Sequence, residues 1–237
     1  MNCPNCNCSL NDDTNFCPSC GQSRKDLNRP FRQLIAESFF ELLDIDGRLS
    51  RTLYALLFKP GHLSSNYRAG QRISSTPPLR LYLITSLLLF FVMSLVKTDY
   101  SNDVERISFL LLPSGLLEDI PKIMVILLPI YALVLQLFQP HSKYIFNLVF
   151  SVHIHTFWYL VFILFLTLQN LSTYLPELSY LNWLIAVYLL VYQFLAIKHF
   201  FNLNWFKSLL VNVFTLAIYI GAFSLSIEIA AEIQKTF

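Results

Sequence analysis

Five long apolar stretches set the limits on what this chain can fold into. They run over residues 79–96, 121–138, 146–168, 180–197 and 209–227. An α-helix needs about 20 apolar residues to cross the roughly 30 Å of hydrocarbon in a bilayer, where every backbone group must be hydrogen-bonded internally. Hydrophobic residues make up 55% of the chain, more than the roughly 45–50% of soluble domains. The sequence therefore predicts an all-α integral membrane protein of about five transmembrane helices, which form a domain over residues 79–237.

The count of five depends on the second stretch, which is short and interrupted by Pro129. A proline removes one backbone hydrogen bond from a helix and bends it. A sixth apolar run, Ile107–Leu117, contains Pro113 and Gly115 and is too short to cross a bilayer. We expect this run to lie at the membrane interface or to form a re-entrant turn.

The five cysteines all precede Gly21. Cys3–Cys6 and Cys17–Cys20 are two C-P-x-C units, each of which brings two thiolates to one side of a tight turn. Gly21 allows a left-handed backbone conformation just after the second unit. Two units supply the four ligands of a tetrahedral Zn²⁺ site. We predict a zinc ribbon at residues 1–24, with Zn²⁺ as a structural cofactor held by Cys3, Cys6, Cys17 and Cys20.

The segment between the two units, Asn7–Phe16, has room only for a hairpin with Asn11–Asp13 at its tip. The metal must therefore supply most of the folding free energy, and apparent zinc-binding energies of about 10–16 kcal/mol in small fingers suffice for this. Four thiolates leave no open position for water, which indicates a structural site and not a catalytic one. Iron in a rubredoxin-like site and Cys8 as a competing ligand remain alternatives at this point.

Residues 25–78 are predicted to form a basic, amphipathic helical connector at the membrane surface. Apolar residues recur every three or four positions over Phe31–Leu43, and a second apolar stripe ends at Pro60-Gly61. No acidic residue lies between Gly47 and Arg80. Each cation near an anionic leaflet contributes about 1 kcal/mol of binding, so we expect lipid headgroups and no nucleic acid as partners. The cations expected to contact lipid or another anionic ligand are Arg48, Arg51, Lys59, Arg68, Arg72 and Arg80.

Loop charges predict the orientation, because cytoplasmic loops retain Lys and Arg. Thirteen of the seventeen Lys and Arg residues lie either at or before Arg80, or in the loops that contain Lys143 and Lys198 with Lys207; four lie on the other side. This predicts an inner-membrane protein with a cytoplasmic N-terminus and its C-terminus outside. The reducing cytoplasm keeps thiolates free for metal, which agrees with the ribbon.

Polar side chains inside the stretches are candidates for function because burying them in lipid is costly. The third stretch carries His153 and His155, which point about 160–200° apart on a helix, so one helix cannot direct both to one ion. Interhelical hydrogen bonding by neutral histidine is the alternative to a functional site. The intramembrane polar candidates are His153, His155, Gln136, Gln193, Asn212 and Glu228.

Motifs of soluble and membrane enzymes are missing: there is no H-E-x-x-H, G-x-S-x-G, Walker or G-x-G-x-x-G sequence. The pattern favours a non-enzymatic protein that recruits, senses or scaffolds a cytoplasmic protein partner through the ribbon. A small transporter or channel that uses the polar groups around His153 and His155 is the alternative. A membrane-embedded metal or haem enzyme is the third.

The order of features resembles an uncharacterised bacterial family of membrane proteins with an N-terminal C-x-x-C zinc ribbon, a basic connector and several spans. The residues that carry the resemblance are Cys17–Gly21, Thr52-Leu53 through Lys59-Pro60-Gly61, Tyr67–Arg72 with Pro77 or Pro78, and His153–Phe157. Similar proteins have an aromatic residue after the Gly-x-Arg element, whereas Ile73-Ser74-Ser75 stands here. The resemblance implies that the connector and the histidine pair belong together, and it implies no activity.

Overall fold

The computed structural model of the protein describes residues 2–10, 14–22, 48–95, 120–172 and 174–236. Within these ranges the chain forms seven α-helices and one short 3₁₀ helix, Pro176–Tyr180, and no β-strand. The helices are α1 (Arg48–Phe58), α2 (His62–Arg68), α3 (Pro78–Leu95), α4 (Ile120–Phe138), α5 (Tyr144–Ser172), α6 (Leu181–Phe201) and α7 (Trp205–Thr236). The predicted helix at Phe31–Leu43, the run Ile107–Leu117 and the hairpin tip Asn11–Asp13 lie outside the described residues.

Helices α3 to α7 form a bundle around α5. Of the apolar window of α5, 61% is buried inside the protein, against 22–28% for those of α3, α6 and α7, so α5 is the central helix. It packs against α3, α4 and α6, while α7 packs against α4 and α6. Short connections join α4 to α5 and α6 to α7, which makes these neighbours antiparallel.

Four helices are long and apolar enough to cross a membrane: Pro78–Leu95, Tyr144–Ser172, Leu181–Phe201 and Trp205–Ala230. The prediction of an all-α membrane protein is therefore confirmed at this level. The helix predicted as the second span, α4, has a shorter apolar part, Lys122–Phe138. Pro129 lies within α4, and α4 packs along α5 and α7 inside the bundle.

Helices α1 and α2 form a hairpin that lies against one end of the bundle. The hydroxyl groups of Tyr188 and Tyr192 on α6 donate hydrogen bonds to the backbone carbonyls of Leu57 and Leu56 at the end of α1. These carbonyls have no partner further along α1, because the helix ends there. The hairpin is thus fixed to α6 through the main chain of its turn.

A second tie joins the hairpin to the start of α3. The hydroxyl of Thr52 accepts a hydrogen bond of 2.9 Å from the backbone N–H of Thr76. Both residues are buried, with 1% and 3% of their surface exposed. The chain between α2 and α3 therefore folds back onto α1 before it enters the membrane.

Gly61, in the turn between α1 and α2, sits directly on the backbone of α6. Its φ angle is +74°, and a Cβ atom added there would lie 2.7 Å from the carbonyl oxygen of Ala196. A left-handed φ strains any residue with a Cβ, and the carbonyl of Ala196 belongs to a helix and cannot give way. Only glycine fits between the two elements.

We predict that Gly61→Ala lowers the free energy of unfolding by roughly 1–3 kcal/mol, because it adds a strained φ and a backbone clash. Gly221→Ala is the matched control: Gly221 lies within α7 and a Cβ there meets nothing within 4 Å. We expect the control to be neutral or to stabilise by about 0.5–1 kcal/mol. Thermal denaturation of detergent-purified protein measures both, and equal effects of the two changes would contradict the close packing at Gly61.

Candidate metal centre and buried polar core

The four cysteines of the two C-P-x-C units lie together. Their sulfur atoms are all within 4.8 Å of one another, and the two closest pairs, Cys3 with Cys20 and Cys6 with Cys17, are 3.7 and 3.6 Å apart. Sulfurs at about 2.3 Å from a tetrahedral zinc ion are about 3.8 Å apart. The arrangement is therefore one that could hold a metal ion without rearrangement.

The two units have the same backbone geometry. In the first, the N–H of Cys3 donates to the carbonyl of Cys8, and in the second the N–H of Cys17 donates to the carbonyl of Gln22. Asn7 and Gly21, which occupy equivalent positions, have φ angles of +58° and +71°. Asparagine tolerates this conformation better than other residues with a side chain. The left-handed backbone conformation inferred for Gly21 is therefore also adopted by Asn7.

The equivalence of the two units bears on whether Cys8 competes as a metal ligand. Cys8 occupies the position that Gln22 has in the second unit, where the backbone carbonyl closes the turn. Its own thiol contacts the carbonyl of Ser9 at 3.6 Å, and Cys8 is absent from the group of four sulfurs. The side chain of Cys8 is therefore not one of the converging ligands.

Electrostatics in the cluster favours a bound cation. Burial opposes ionisation of Cys17, but hydrogen bonds from the backbone N–H groups of Cys20 and Ser19 lower the pKa of its thiol to about 6. For Cys6 the N–H of Cys8 lowers the pKa, yet desolvation and contacts with the other thiols raise it to about 12. Four adjacent thiols cannot all ionise without a cation to offset their charge, and a metal ion bound there would supply that charge.

The ribbon docks on the turn that follows α2. The side-chain amide of Gln22 donates a hydrogen bond to the carbonyl of Gly70, and its oxygen accepts one of 3.3 Å from the N–H of Arg72. Gly70 has a φ of +88°, and a Cβ there would lie 3.1 Å from Pro4 of the first unit. Gln22 therefore closes one metal-binding turn with its main chain and holds the ribbon to the connector with its side chain.

The six cations of the connector differ in environment. Arg51, Lys59 and Arg68 are exposed, and Arg48 and Arg72 are half-buried. Arg68 lies over the ring of Phe200, 4.5 Å from its centre. Arg80 departs from the expectation of a surface charge, because only 3% of it is exposed and its Nε has no hydrogen-bond partner among the residues that the structure describes.

His153 joins the membrane bundle to the hairpin. Its Nδ1 atom lies 2.8 Å from the hydroxyl of Ser64 on α2, and both side chains are buried. The resemblance drawn from the sequence implied that the connector and the histidine pair belong together, and this contact is a direct link between them. Sequence reasoning did not identify Ser64 as the partner.

His155 belongs to a separate, fully buried network. Its Nδ1 is 2.8 Å from the carbonyl of Ser151 and its Nε2 is 2.9 Å from the hydroxyl of Tyr219. A carbonyl only accepts, so Nδ1 carries the proton and Nε2 accepts the hydrogen of Tyr219. The aromatic rings of Tyr131 and Trp158 pack against the imidazole. His153 and His155 thus point to different partners, as their spacing predicts.

The remaining polar candidates divide into satisfied and unsatisfied groups. Gln136 donates to the carbonyl of Ser142 at 2.8 Å and accepts from Asn147 at 2.7 Å, so it closes the turn between α4 and α5. Glu228 is exposed on the surface of α7. Gln193 donates to the hydroxyl of Tyr131 at 3.3 Å. The buried oxygens of Gln193, Asn212 and Thr215 have no hydrogen-bond partner in the described part of the chain.

Several residues that build these sites were not identified from sequence. Alignment of the two cysteine units with each other, 14 residues apart, pairs Asn7 with Gly21 and Cys8 with Gln22, and this repeat is the signal that could have found Gln22. Asn212, Thr215 and Tyr219 recur at helical spacing on α7, which predicts one shared face. No sequence pattern around Tyr131 or Ser64 indicates the contacts that these residues make.

Comparison with known protein families gives a match to part of the chain. The profile of a family described as a protein of unknown function, DUF3667, matches residues 46–90. The match covers α1, α2, the docking turn at Gly70 and most of α3, and it stops short of the cysteines and of α5. Neither a curated protein nor a solved structure is significantly similar to the chain.

We predict that Gln22→Ala loosens the ribbon without removing its metal. Loss of two hydrogen bonds of about 0.5–1.5 kcal/mol each raises the open population roughly tenfold. Hydrogen–deuterium exchange of the turn from Gly70 to Arg72, on which the ribbon docks, follows that population. Exchange rates and elemental analysis of the bound metal together measure both properties. Ser19→Ala is the control, because Ser19 is exposed in the same cysteine unit. Equal rates of exchange for the two variants would disprove the docking role.

Proposed function

We propose that this protein is a non-enzymatic inner-membrane protein whose structural zinc ribbon recruits or senses a cytoplasmic partner. The observation that carries the proposal is the cluster of four sulfurs, in a segment that Gln22 holds against the connector. Cys₄ sites bind zinc with no open coordination position, so the metal organises a surface and performs no reaction. A ribbon fixed to the connector, unlike one on a free tether, presents that surface in a defined orientation.

The exposed side of the ribbon has features of a contact surface. Phe16, next to Cys17, has 57% of its surface exposed, and Pro18 and Ser19 beside it are also exposed. Exposed aromatic side chains are enriched at protein interfaces. A cytoplasmic protein that packs on Phe16 is the partner that this surface fits.

The topology we propose has the N-terminus in the cytoplasm, five crossings and the C-terminus outside. Loop charge supports the orientation. Antiparallel packing supports α4 as the second crossing. Helix α4 runs beside α5 and pairs Tyr131 with Tyr219 of α7, which favours a return across the bundle between α3 and α5. The exposed Arg51, Lys59 and Arg68 would then face anionic headgroups of the cytoplasmic leaflet.

The recruitment hypothesis predicts that serine at any one of Cys3, Cys6, Cys17 or Cys20 removes zinc and abolishes partner binding, while the membrane domain still inserts. Folding of a segment this small depends on the metal. Elemental analysis of detergent-purified protein, together with identification of cross-linked proteins, tests this.

Cys8→Ser is the matched control, because Cys8 is not among the converging sulfurs. It should keep one zinc per chain and the partner. Partner binding that persists in the zinc-free Cys17→Ser protein would refute the hypothesis, as would loss of zinc from Cys8→Ser.

A second function, a small transporter or channel, is favoured by one specific observation. Buried polar atoms are nearly always hydrogen-bonded, yet the oxygens of Gln193, Asn212 and Thr215 are buried without partners in the described residues. They lie on α6 and α7. The amide nitrogen of Gln193 donates to Tyr131 on α4, and Tyr219 on α7 donates to His155 on α5. Water or a small polar solute would satisfy these oxygens.

The transport hypothesis predicts pH-dependent flux across liposomes that Ala at both His153 and His155 abolishes. A pH-sensitive dye sealed inside the vesicles reports the flux. His141→Ala is the control, since His141 is exposed outside the helices and should leave flux unchanged. Flux at the parent rate in the double variant would exclude these histidines, and absence of any flux would exclude transport of protons.

A further inference from the structure

The hairpin of α1 and α2 contacts α6 well away from the ends of that helix. Tyr188 and Tyr192, which bind carbonyls at the end of α1, lie close to the middle of α6, Leu181–Phe201. Gly61 lies against Ala196, which is about 8 Å from the end of α6 at 1.5 Å per residue. The turn of the hairpin therefore lies beside the body of a helix that is long enough to cross a membrane.

The length of α6 converts these contacts into a depth. Its 21 residues extend over about 32 Å, which matches the roughly 30 Å of hydrocarbon in a bilayer. No charged residue occurs from Leu178 to Ile197, whereas Lys198 stands near the end of the helix. Arg68, just before the turn that holds the ribbon, lies over Phe200, so this end is the ribbon side. With α6 across the membrane, the turn of the hairpin lies about 10 Å inside the hydrocarbon on that side.

The backbone of the turn is hydrogen-bonded in the way that hydrocarbon requires. Main-chain polar groups have no water to bind there, so each needs a partner within the protein. The carbonyls of Leu56 and Leu57 accept from the two tyrosines of α6, and that of Ala55 accepts from the N–H of Lys59. Pro60 has no N–H that would need an acceptor. Donors from the middle of a span thus take the place of the water that would bind these carbonyls at a membrane surface.

The exposed face of α1 changes from charged to apolar toward the turn. Its exposed residues are, in order, Ser50, Arg51, Tyr54 and Phe58. A cation, then tyrosine, then phenylalanine is the order suited to headgroups, interface and hydrocarbon. Lys59 is also exposed, but its Nζ lies over the ring of Tyr54, 5.9 Å from its centre. The charged end of Lys59 is therefore directed back along α1, toward the headgroups.

We propose that the turn of the hairpin is inserted into the leaflet on the ribbon side and that acyl chains of membrane lipids cover Phe58. The hairpin enters and leaves the membrane on the same side, with Arg51 among the headgroups and Tyr54 at the interface. The inference rests on the proposed topology, because the depth is measured along α6 as a membrane span. It goes beyond attachment to headgroups, because the contact is with hydrocarbon.

Photo-crosslinking from exposed phenylalanine positions tests the insertion. The photoreactive p-benzoylphenylalanine replaces Phe58, Phe90 or Phe16, one at a time, in the full chain. Phe58 and Phe90 each have 64% of their surface exposed and Phe16 has 57%, so the probe projects outward at all three positions. Phe90 lies on the span α3 and Phe16 on the ribbon. The two serve as the matched lipid-facing and water-facing controls.

The protein is reconstituted in vesicles of phosphatidylcholine and phosphatidylglycerol in equal parts and irradiated. The ketone of the probe forms a bond to a carbon atom that it touches. Alkaline hydrolysis of the lipid esters then leaves either a fatty acid or a glycerophospho headgroup on the protein, and mass spectrometry distinguishes the two.

We expect fatty-acid adducts at Phe58 in a yield within about twofold of that at Phe90, because both positions would contact hydrocarbon. Phe16 should give no lipid adduct. The same probe at Tyr54, about one helical turn closer to the surface, should give a larger share of headgroup adducts than at Phe58.

Headgroup adducts alone at Phe58, together with fatty-acid adducts at Phe90, would overturn the insertion and leave the topology standing. An adduct of protein mass at Phe58 would also overturn it, because a second copy of the chain would then cover this face. Absence of lipid adducts at Phe90 would overturn the proposed topology and the insertion with it.

Discussion

The contact between the helical hairpin and α6 is the one on which the rest of the architecture depends. Gly61 brings two backbones so close that no Cβ fits between them, and Tyr188 and Tyr192 bind the carbonyls at the end of α1. On the α1 side these hydrogen bonds are accepted by the main chain, so substitutions of the Leu56 and Leu57 side chains leave the acceptors in place. The ribbon packs on the far side of the hairpin. Its position relative to the membrane domain therefore depends on this contact.

The hairpin therefore contacts both the metal site and the membrane interior. Gly70 and Arg72 hold the ribbon through Gln22, and Ser64, one turn before the end of α2, reaches His153 inside the bundle. Gln22 closes the turn around Cys17 at the same time. The turn around Cys17 and the side chain of His153 therefore contact the same hairpin from two sides.

The cysteine cluster, the helices and the directions of the two histidines could be predicted from the sequence, because they depend on the spacing of nearby residues. The four converging cysteines follow from two C-x-x-C units, and the helices from apolar length: α3 covers residues 78–95 where 79–96 was expected as a span. The divergent directions of His153 and His155 follow from 100° per residue. Each of these properties is fixed by residues close together in the chain.

What sequence could not give depends on contacts between distant segments. The link of Ser64 to His153 spans 89 residues, and that of His155 to Tyr219 spans 64. Arg80 looked like one more cation of a basic run, and only packing reveals that it is buried. Helix α4, predicted as the second of five spans, has an apolar part of marginal length, and the described residues contain four helices long and apolar enough to cross a membrane.

The family of unknown function matches residues 46–90. This segment includes the hairpin that contacts α6, and it includes neither the candidate metal site nor the polar network around His155. It contains Gly61, Ser64 and Gly70, which make the contacts to α6, to His153 and to Pro4. The four cysteines and the network around His155 both lie outside it. A segment defined by such joining contacts constrains how the ribbon is attached to the bundle and leaves free what the ribbon binds. The metal centre and the intramembrane groups are therefore best understood as two sites held in a fixed relation by this segment, and function should be sought in how the state of one alters the other.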